Sequence, residues 1–98
     1  GDRAGDVPVS GTKSMYGNAL GAGSAIDAIV CVKSIADGWI PPTVGVSKVD
    51  PRIGLDVVTA EGRSKPLRYV MSNTIGMTGL NQISPASPVT CTAAAEPR

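Results

Sequence analysis

Histidine is missing from these 98 residues altogether, and phenylalanine with it. The first absence removes the commonest general base and the commonest zinc ligand, so any acid–base pair has to borrow a group from elsewhere. The second leaves Tyr16, Trp39 and Tyr69 as the only aromatics. A hydrophobic content of 42% is enough for one small domain, but the core is light, and part of the apolar surface is expected to be covered by a partner. Cysteine is equally scarce. Cys31 sits inside an apolar run and Cys91 near the end, a pair too few and too unlike in setting for a disulfide framework or a metal site, so a reducing compartment is expected. No run of one charge sign exists: nine basic and eight acidic residues give a net charge of +1. That balance excludes a nucleic-acid footprint and a polybasic membrane patch. No uninterrupted apolar stretch reaches the roughly 18 residues of a membrane span, because Asp27 and Lys33 break the longest one. A charged start is no signal peptide, and a cytoplasmic location is expected. The opening Gly1-Asp2-Arg3-Ala4 has no initiator Met and reads as the middle of something longer.

What is present is a pattern of short elements. Val7, Pro8, Val9 and Ser10 read as a short strand, with Pro8 confining it to an edge or a strand start. Residues 11–17 have no period and many small residues, which predicts a loop carrying Lys13. Asn18 is a good cap, and from there to Ala36 apolar residues surround most of the helical wheel. The expectation is a helix from Asn18, buried on most sides, ending at Asp37-Gly38. Gly21 and Gly23 each cost helix propensity, so the close approach of another backbone is expected there. The prolines at 41 and 42 force an extended segment from Trp39 to Thr43. Residues 45–51 read as a surface loop, 55–59 as a strand, and 60–65 as a charged turn. Residues 67–72 read as a further strand, and 73–79 as a second glycine-bearing loop facing the first. A partner strand would fall at 82–89, yet Pro85 and Pro88 argue against it. Residues 90–98 read as a disordered tail.

Gly17, Gly21 and Gly23, after a strand and opening a helix, match the glycine spacing with which short-chain dehydrogenases approach a dinucleotide pyrophosphate. The next strand should end in a residue that reads the ribose. Here the helix runs instead into Trp39-Ile40-Pro41-Pro42. Small residues for tight helix packing account for the same spacing, and a dinucleotide-binding fragment remains as a second alternative.

Lys13-Ser14-Met15-Tyr16-Gly17-Asn18, followed by Leu20-Gly21-Ala22-Gly23-Ser24-Ala25-Ile26-Asp27-Ala28, resembles the Lys-Ser-Met-x-Gly-His and Leu-Gly-Ala-x-Gly-Ala segments of β-ketoacyl synthases. Two further pieces follow in the same order. Asp37-Gly38-Trp39-Ile40-Pro41-Pro42-Thr43 is similar to that family's Gly-x-Ile-Pro-Pro-Thr. The run from Ser72 to Asn81 is similar to its Ser-Asn-Ser-Phe-Gly-Phe-Gly-Gly-Thr-Asn loop. The resemblance covers residues 7–81 and only the C-terminal quarter or so of a synthase.

The resemblance implies an α/β fold, part of a thiolase-type layered αβαβα architecture completed by another chain or segment. Residues 1–81 would be the C-terminal segment of the synthase-like domain, and 82–98 a poor final strand and a tail. It also implies decarboxylative Claisen condensation in fatty acid or polyketide biosynthesis. An acyl group sits on a cysteine, and malonyl on an acyl carrier protein loses CO2 to give the attacking enolate. The nucleophile and the first histidine lie upstream of the matched region, and neither Cys31 nor Cys91 corresponds to that nucleophile, so this chain alone is expected to be inert. Lys13 corresponds to the family's lysine, which orients the active-site loop. Asn18 stands where the second histidine belongs. Either its amide donates to the thioester carbonyl, as in condensing enzymes of the chalcone synthase type, or the function is lost, as in chain-length factors. In the gate loop Ile75 and Met77 replace phenylalanines and Thr78 a glycine, which implies either neutral change in a hydrophobic loop or altered acyl-chain access. The implied partners are a companion chain completing the fold, a synthase-type dimer and the acyl carrier protein. No metal and no resident cofactor are implied, the substrate being carried on phosphopantetheine.

Overall fold

The computed structural model describes residues 2–86. The expected tail at 90–98 lies outside the described residues, as does the end of the strand expected at 82–89. The elements run in order β1 (Pro8–Val9), α1 (Lys13–Tyr16), α2 (Gly23–Asp37), β2 (Trp39–Ile40), β3 (Asp56–Val57), β4 (Arg63–Ser64), β5 (Val70–Ile75) and β6 (Asn81–Ala86). Single 3-10 turns occupy Ala4–Asp6, Leu20–Ala22 and Pro51–Ile53. The chain is α/β, and its described residues form two compact units, one of residues 2–18 with Ile40–Ser64, the other of Ala19–Trp39 with residues 65–86.

The first unit is built on a parallel ladder. Pro8 lies opposite Asp56 and Val9 opposite Val57. Pro8 opens its strand, where a missing N–H costs least. Beyond the paired residues the Val58 N–H donates to the Val9 carbonyl at 2.9 Å, and the Val58 carbonyl accepts the Thr43 N–H at 2.7 Å. Thr43 bridges Thr59 in parallel. Residues 56–59 therefore form a middle strand, satisfied on both sides, and Val58 is 1% exposed at the centre of the unit. Pro41 and Pro42 are buried next to Ile40, so the extended segment required by two successive prolines is also a core segment. Asp50 caps the turn Pro51–Ile53, accepting the Arg52 N–H at 2.9 Å and its guanidinium at 2.6 Å. Arg63 on β4 grips the carboxylate of Asp56 on β3 with two N–H groups, one of them at 2.8 Å.

The second unit packs α2 against the antiparallel hairpin of β5 and β6. The helix ends as expected: Gly38 is left-handed (φ 60°, ψ 37°) and donates its N–H to the Ser34 carbonyl. Its carbonyl in turn accepts the Lys65 N–H at 2.9 Å. The start differs from expectation. A 3-10 turn intervenes after Asn18, and Ala22 is the residue before the helix, with no side-chain cap. Leu20 in that turn has φ of 50°, a left-handed conformation that no sequence rule assigns to a leucine.

The burial of α2 also differs. Its buried residues are Gly23, Asp27, Cys31 and Ser34, a stripe of small and polar side chains at helical spacing, while Ile29 is 64% exposed. The helix is covered along one face, not all round. A Cβ at Gly21 would meet nothing within 4 Å, so the close backbone approach expected at that glycine is absent from the described residues.

β5 begins at Val70, three residues after its expected start, and runs through Asn73-Thr74-Ile75, where the sequence predicts a loop. The turn that follows is tight. Gly76 donates its N–H to the Leu80 carbonyl at 2.7 Å, and a Cβ on Gly76 would approach that same oxygen to 3.2 Å. Closing there sets the register, with Ile75 opposite Asn81 and Val70 opposite Ala86. β6 forms despite Pro85, which lies opposite Met71 on a strand with no further neighbour among the described residues, and an edge tolerates the lost donor. Val70, Ser72 and Thr74 alternate half-buried with exposed Met71, Asn73 and Ile75. Small and polar side chains thus face inward on both the helix and the hairpin.

Candidate functional site

The segment expected to be a plain loop at 11–17 folds as one helical turn, α1. Ser14 donates its N–H to the Gly11 carbonyl at 3.1 Å, Met15 to Thr12 at 3.0 Å and Gly17 to Lys13 at 2.8 Å. Gly17 stops the turn with φ of 81°. The Thr12 hydroxyl and the Tyr16 hydroxyl lie 3.2 Å apart across it. Lys13 opens this turn and Asn18 follows it directly, both exposed in the first unit.

Three side chains tie this turn to the proline segment. Ser10 donates its hydroxyl to the Pro41 carbonyl at 2.6 Å. The Thr43 hydroxyl oxygen accepts the Gly11 N–H at 2.8 Å. The Ser14 hydroxyl oxygen accepts the Val44 N–H at 2.8 Å. Local sequence pattern assigns no site role to Ser10 or Thr43. The available signal was Ser14 beside the lysine and a threonine directly after two prolines, where the first free N–H groups of that segment occur.

Ile75, Met77 and Thr78 belong to the second unit. Ile75 ends β5, and Met77 and Thr78 occupy the turn before β6. Met77 is fully exposed and Ile75 78% exposed. Lys13 thus stands at the start of α1 and Asn18 just past its end, beyond Gly17, while Ile75, Met77 and Thr78 share one end of the hairpin.

Cys31 is buried on the inward stripe of α2, and its thiol pKa is pushed up, first by burial and then by the nearby Asp27 carboxylate. It is held as a neutral thiol, the opposite of what a nucleophile requires. Asp50 and Arg63 are displaced in the directions their ion pairs dictate. The Arg52 guanidinium lowers the Asp50 carboxyl, and Asp56 raises the Arg63 guanidinium. Among the described residues no three His, Cys, Asp or Glu side chains converge as metal ligands. None of the described helices is long and apolar enough to cross a membrane.

Residues 1–47 match the family model described as beta-ketoacyl synthase, C-terminal domain. Nodulation protein E of Rhizobium sp. (strain N33) is 39% identical over 83 residues, covering 85% of this chain and 21% of that protein. The 3-oxoacyl-[acyl-carrier-protein] synthase 2 of Coxiella burnetii (strain RSA 493 / Nine Mile phase I) is 41% identical over 81 residues, covering 83% of this chain and 20% of the relative. Among solved structures, the ishigamide ketosynthase/chain length factor superposes with a TM-score of 0.73 at 37% identity, over 76% of this chain and 19% of that one. The chain thus spans about a fifth of the length of the relatives it matches. It belongs to the β-ketoacyl synthase family and corresponds to part of the C-terminal portion of its members.

Proposed function

We propose that this chain belongs to a chain-length-factor-like, non-catalytic subunit that shapes the acyl pocket of a condensing-enzyme complex. Asn18 carries the reading. The Lys-Ser-Met turn is retained as α1, yet the residue after it that should bring an imidazole brings an amide, and the 98 residues contain no histidine to replace it. An amide donates a hydrogen bond but cannot take up and release a proton near neutral pH, so it cannot act as a general acid or base. Cys31, buried and held neutral, supplies no nucleophile. The likeness to a solved ketosynthase/chain length factor supports the same reading.

In this role the chain is one portion of a thiolase-type layered αβαβα fold, completed by a companion chain or segment. The exposed aliphatic side chains of α2 and the hairpin fit such a covering layer. The pocket would be bounded by Ile75, Met77 and Thr78, whose bulk differs from the phenylalanines and glycine of the resembling loop. The growing chain would arrive on the phosphopantetheine of an acyl carrier protein, with no resident cofactor.

A second reading is an active synthase in which Lys13 orients the site and the Asn18 amide donates to the thioester carbonyl. It is favoured by the relatives named as 3-oxoacyl-[acyl-carrier-protein] synthases at 41% identity. Malonyl decarboxylation by the assembled complex separates the two. Under the pocket-shaping reading Asn18→Ala leaves the rate at the parental value. A loss of 100-fold or more, on the order of that seen when an oxyanion donor is removed, would reverse the assignment.

A further inference from the structure

We propose that Ser14 and Thr43 are positioning residues, forming a reciprocal hydrogen-bond clamp that fixes the Lys13–Asn18 turn against the buried Pro41-Pro42 segment. The argument starts from the donors. Proline has no N–H, so the first backbone donors after Pro41 and Pro42 are those of Thr43 and Val44. The Thr43 N–H goes to the carbonyl of Val58, the most buried side chain of the unit. The Val44 N–H goes to the Ser14 hydroxyl oxygen at 2.8 Å. In the opposite sense, the Gly11 N–H before the turn goes to the Thr43 hydroxyl oxygen at 2.8 Å.

Thr43 therefore faces both ways. Its backbone is tied to the core strand and its side chain to the turn, and Ser14 closes the second link one residue from Lys13. A four-residue helical turn has too few internal hydrogen bonds to hold itself in place. Its orientation is imposed by two hydrogen bonds to residues about 30 positions distant in sequence, one through the Thr43 side chain and one from the Val44 N–H to the turn's own Ser14. Ser10, donating to the Pro41 carbonyl at 2.6 Å, extends the same seam toward β1.

Amide hydrogen exchange on the assembled protein, combined with its product-length distribution, tests the clamp. Ser14→Ala removes the acceptor of Val44, and Thr43→Val removes the acceptor of Gly11 while retaining the side-chain shape. Val44 is exposed, so water can take the vacated bond and the fold should survive. The melting temperature is expected to fall by no more than about 2–4 °C. Each variant is expected to speed exchange at residues 13–18 by roughly fivefold, the scale set by one net hydrogen bond. Each should also broaden the distribution of product lengths, and Ser14→Thr, which restores an acceptor oxygen, should return both readouts toward the parent.

Unchanged exchange in both variants would overturn the clamp. Faster exchange with an unaltered product distribution would overturn its positioning role. The product readout rests on the pocket-shaping reading above, whereas the exchange readout does not. If Asn18 proves necessary for malonyl decarboxylation, that reading fails and exchange at 13–18 still decides the clamp.

Discussion

The two units of this chain are stabilised in opposite ways. In the first, residues 41–44 and 56–59 spend their polar groups on one another and on the Lys13 turn, around a nearly inaccessible Val58. Its most exposed large hydrophobic side chain, Val7, stands at 55%. In the second, the inward faces of α2 and the hairpin are small or polar, while Leu20, Ile29, Ile75, Met77, Leu80 and Ile83 are all more exposed than that. A unit that turns its aliphatic side chains outward on both layers forgoes roughly 1.5–3 kcal/mol for each one left uncovered. The difference teaches where the aliphatic surface goes: the first unit keeps its best-buried valine between strands, whereas the second leaves aliphatic side chains exposed on both the helix and the hairpin, the faces that a companion segment covers under the proposed reading.

The comparison breaks most readily at the centre of the first unit. Val58→Ala removes two methyl groups from the best-buried position and is expected to cost about 2 kcal/mol, read as a lower denaturation midpoint of the assembled protein with exchange protection lost first at residues 41–44 and 56–59. An effect below about 0.5 kcal/mol would mean that this unit has no packed centre.

Ile29→Ser and Ile75→Ser sharpen the other side. Each is expected to destabilise the assembled protein by about 1–2 kcal/mol and to leave the secondary structure of the isolated chain, measured by circular dichroism, as it was. If the isolated chain suffers as much as the assembly, those faces are not covered by a partner.

Smaller effects belong to the ion pairs. Arg63→Gln gives up a two-pronged grip on Asp56 that is more than a third exposed on the arginine side, and solvent screening keeps its cost below that of either core or face substitution. Double-mutant analysis with Asp56→Asn measures it. The least effect is expected at Asp50. Its carboxyl is lowered below the ordinary 3.8 by Arg52, so the stability it contributes is complete above that value and is lost as the pH falls through the lower folded-state value. Thermal melts between pH 5 and pH 2.5 should show a slightly steeper acid decline for the parent than for Asp50→Asn, and identical slopes would remove the pair from the account.

Much of this was legible in advance, and the misses share a cause. The stop at Gly38 was readable because a glycine after an apolar helix fills a left-handed position that other residues resist. The extended Trp39 to Thr43 segment followed from two prolines, and the strand near 55–59 from its local composition. The start of α2 was not readable, since Asn18 has the chemistry of a cap and is displaced from that role by a 3-10 turn with Leu20 left-handed. Leu67 and Tyr69 have the character of strand residues and predict a start for β5 three residues early, whereas the hairpin closes at Gly76 and pairs Asn73 with Ile83. Pro85 counted against a strand whose partner lies on one side only. In the candidate site, Lys13 and Asn18 were legible through their motif, and the side chains that orient their turn were not.

The sequence by itself determined the family, the motif that sets an amide at position 18 after Lys13, and the local punctuation by glycine and proline, because each depends on neighbours within a few residues. Tertiary structure alone decided which face of α2 is buried, since an apolar wheel names no preferred side and the small stripe Gly23, Asp27, Cys31 and Ser34 is selected only when the hairpin lies against it. It alone decided the seam from Ser10, Gly11 and Ser14 to Pro41, Thr43 and Val44 as well, because hydrogen bonds across some 30 residues leave no periodic trace in the chain that forms them.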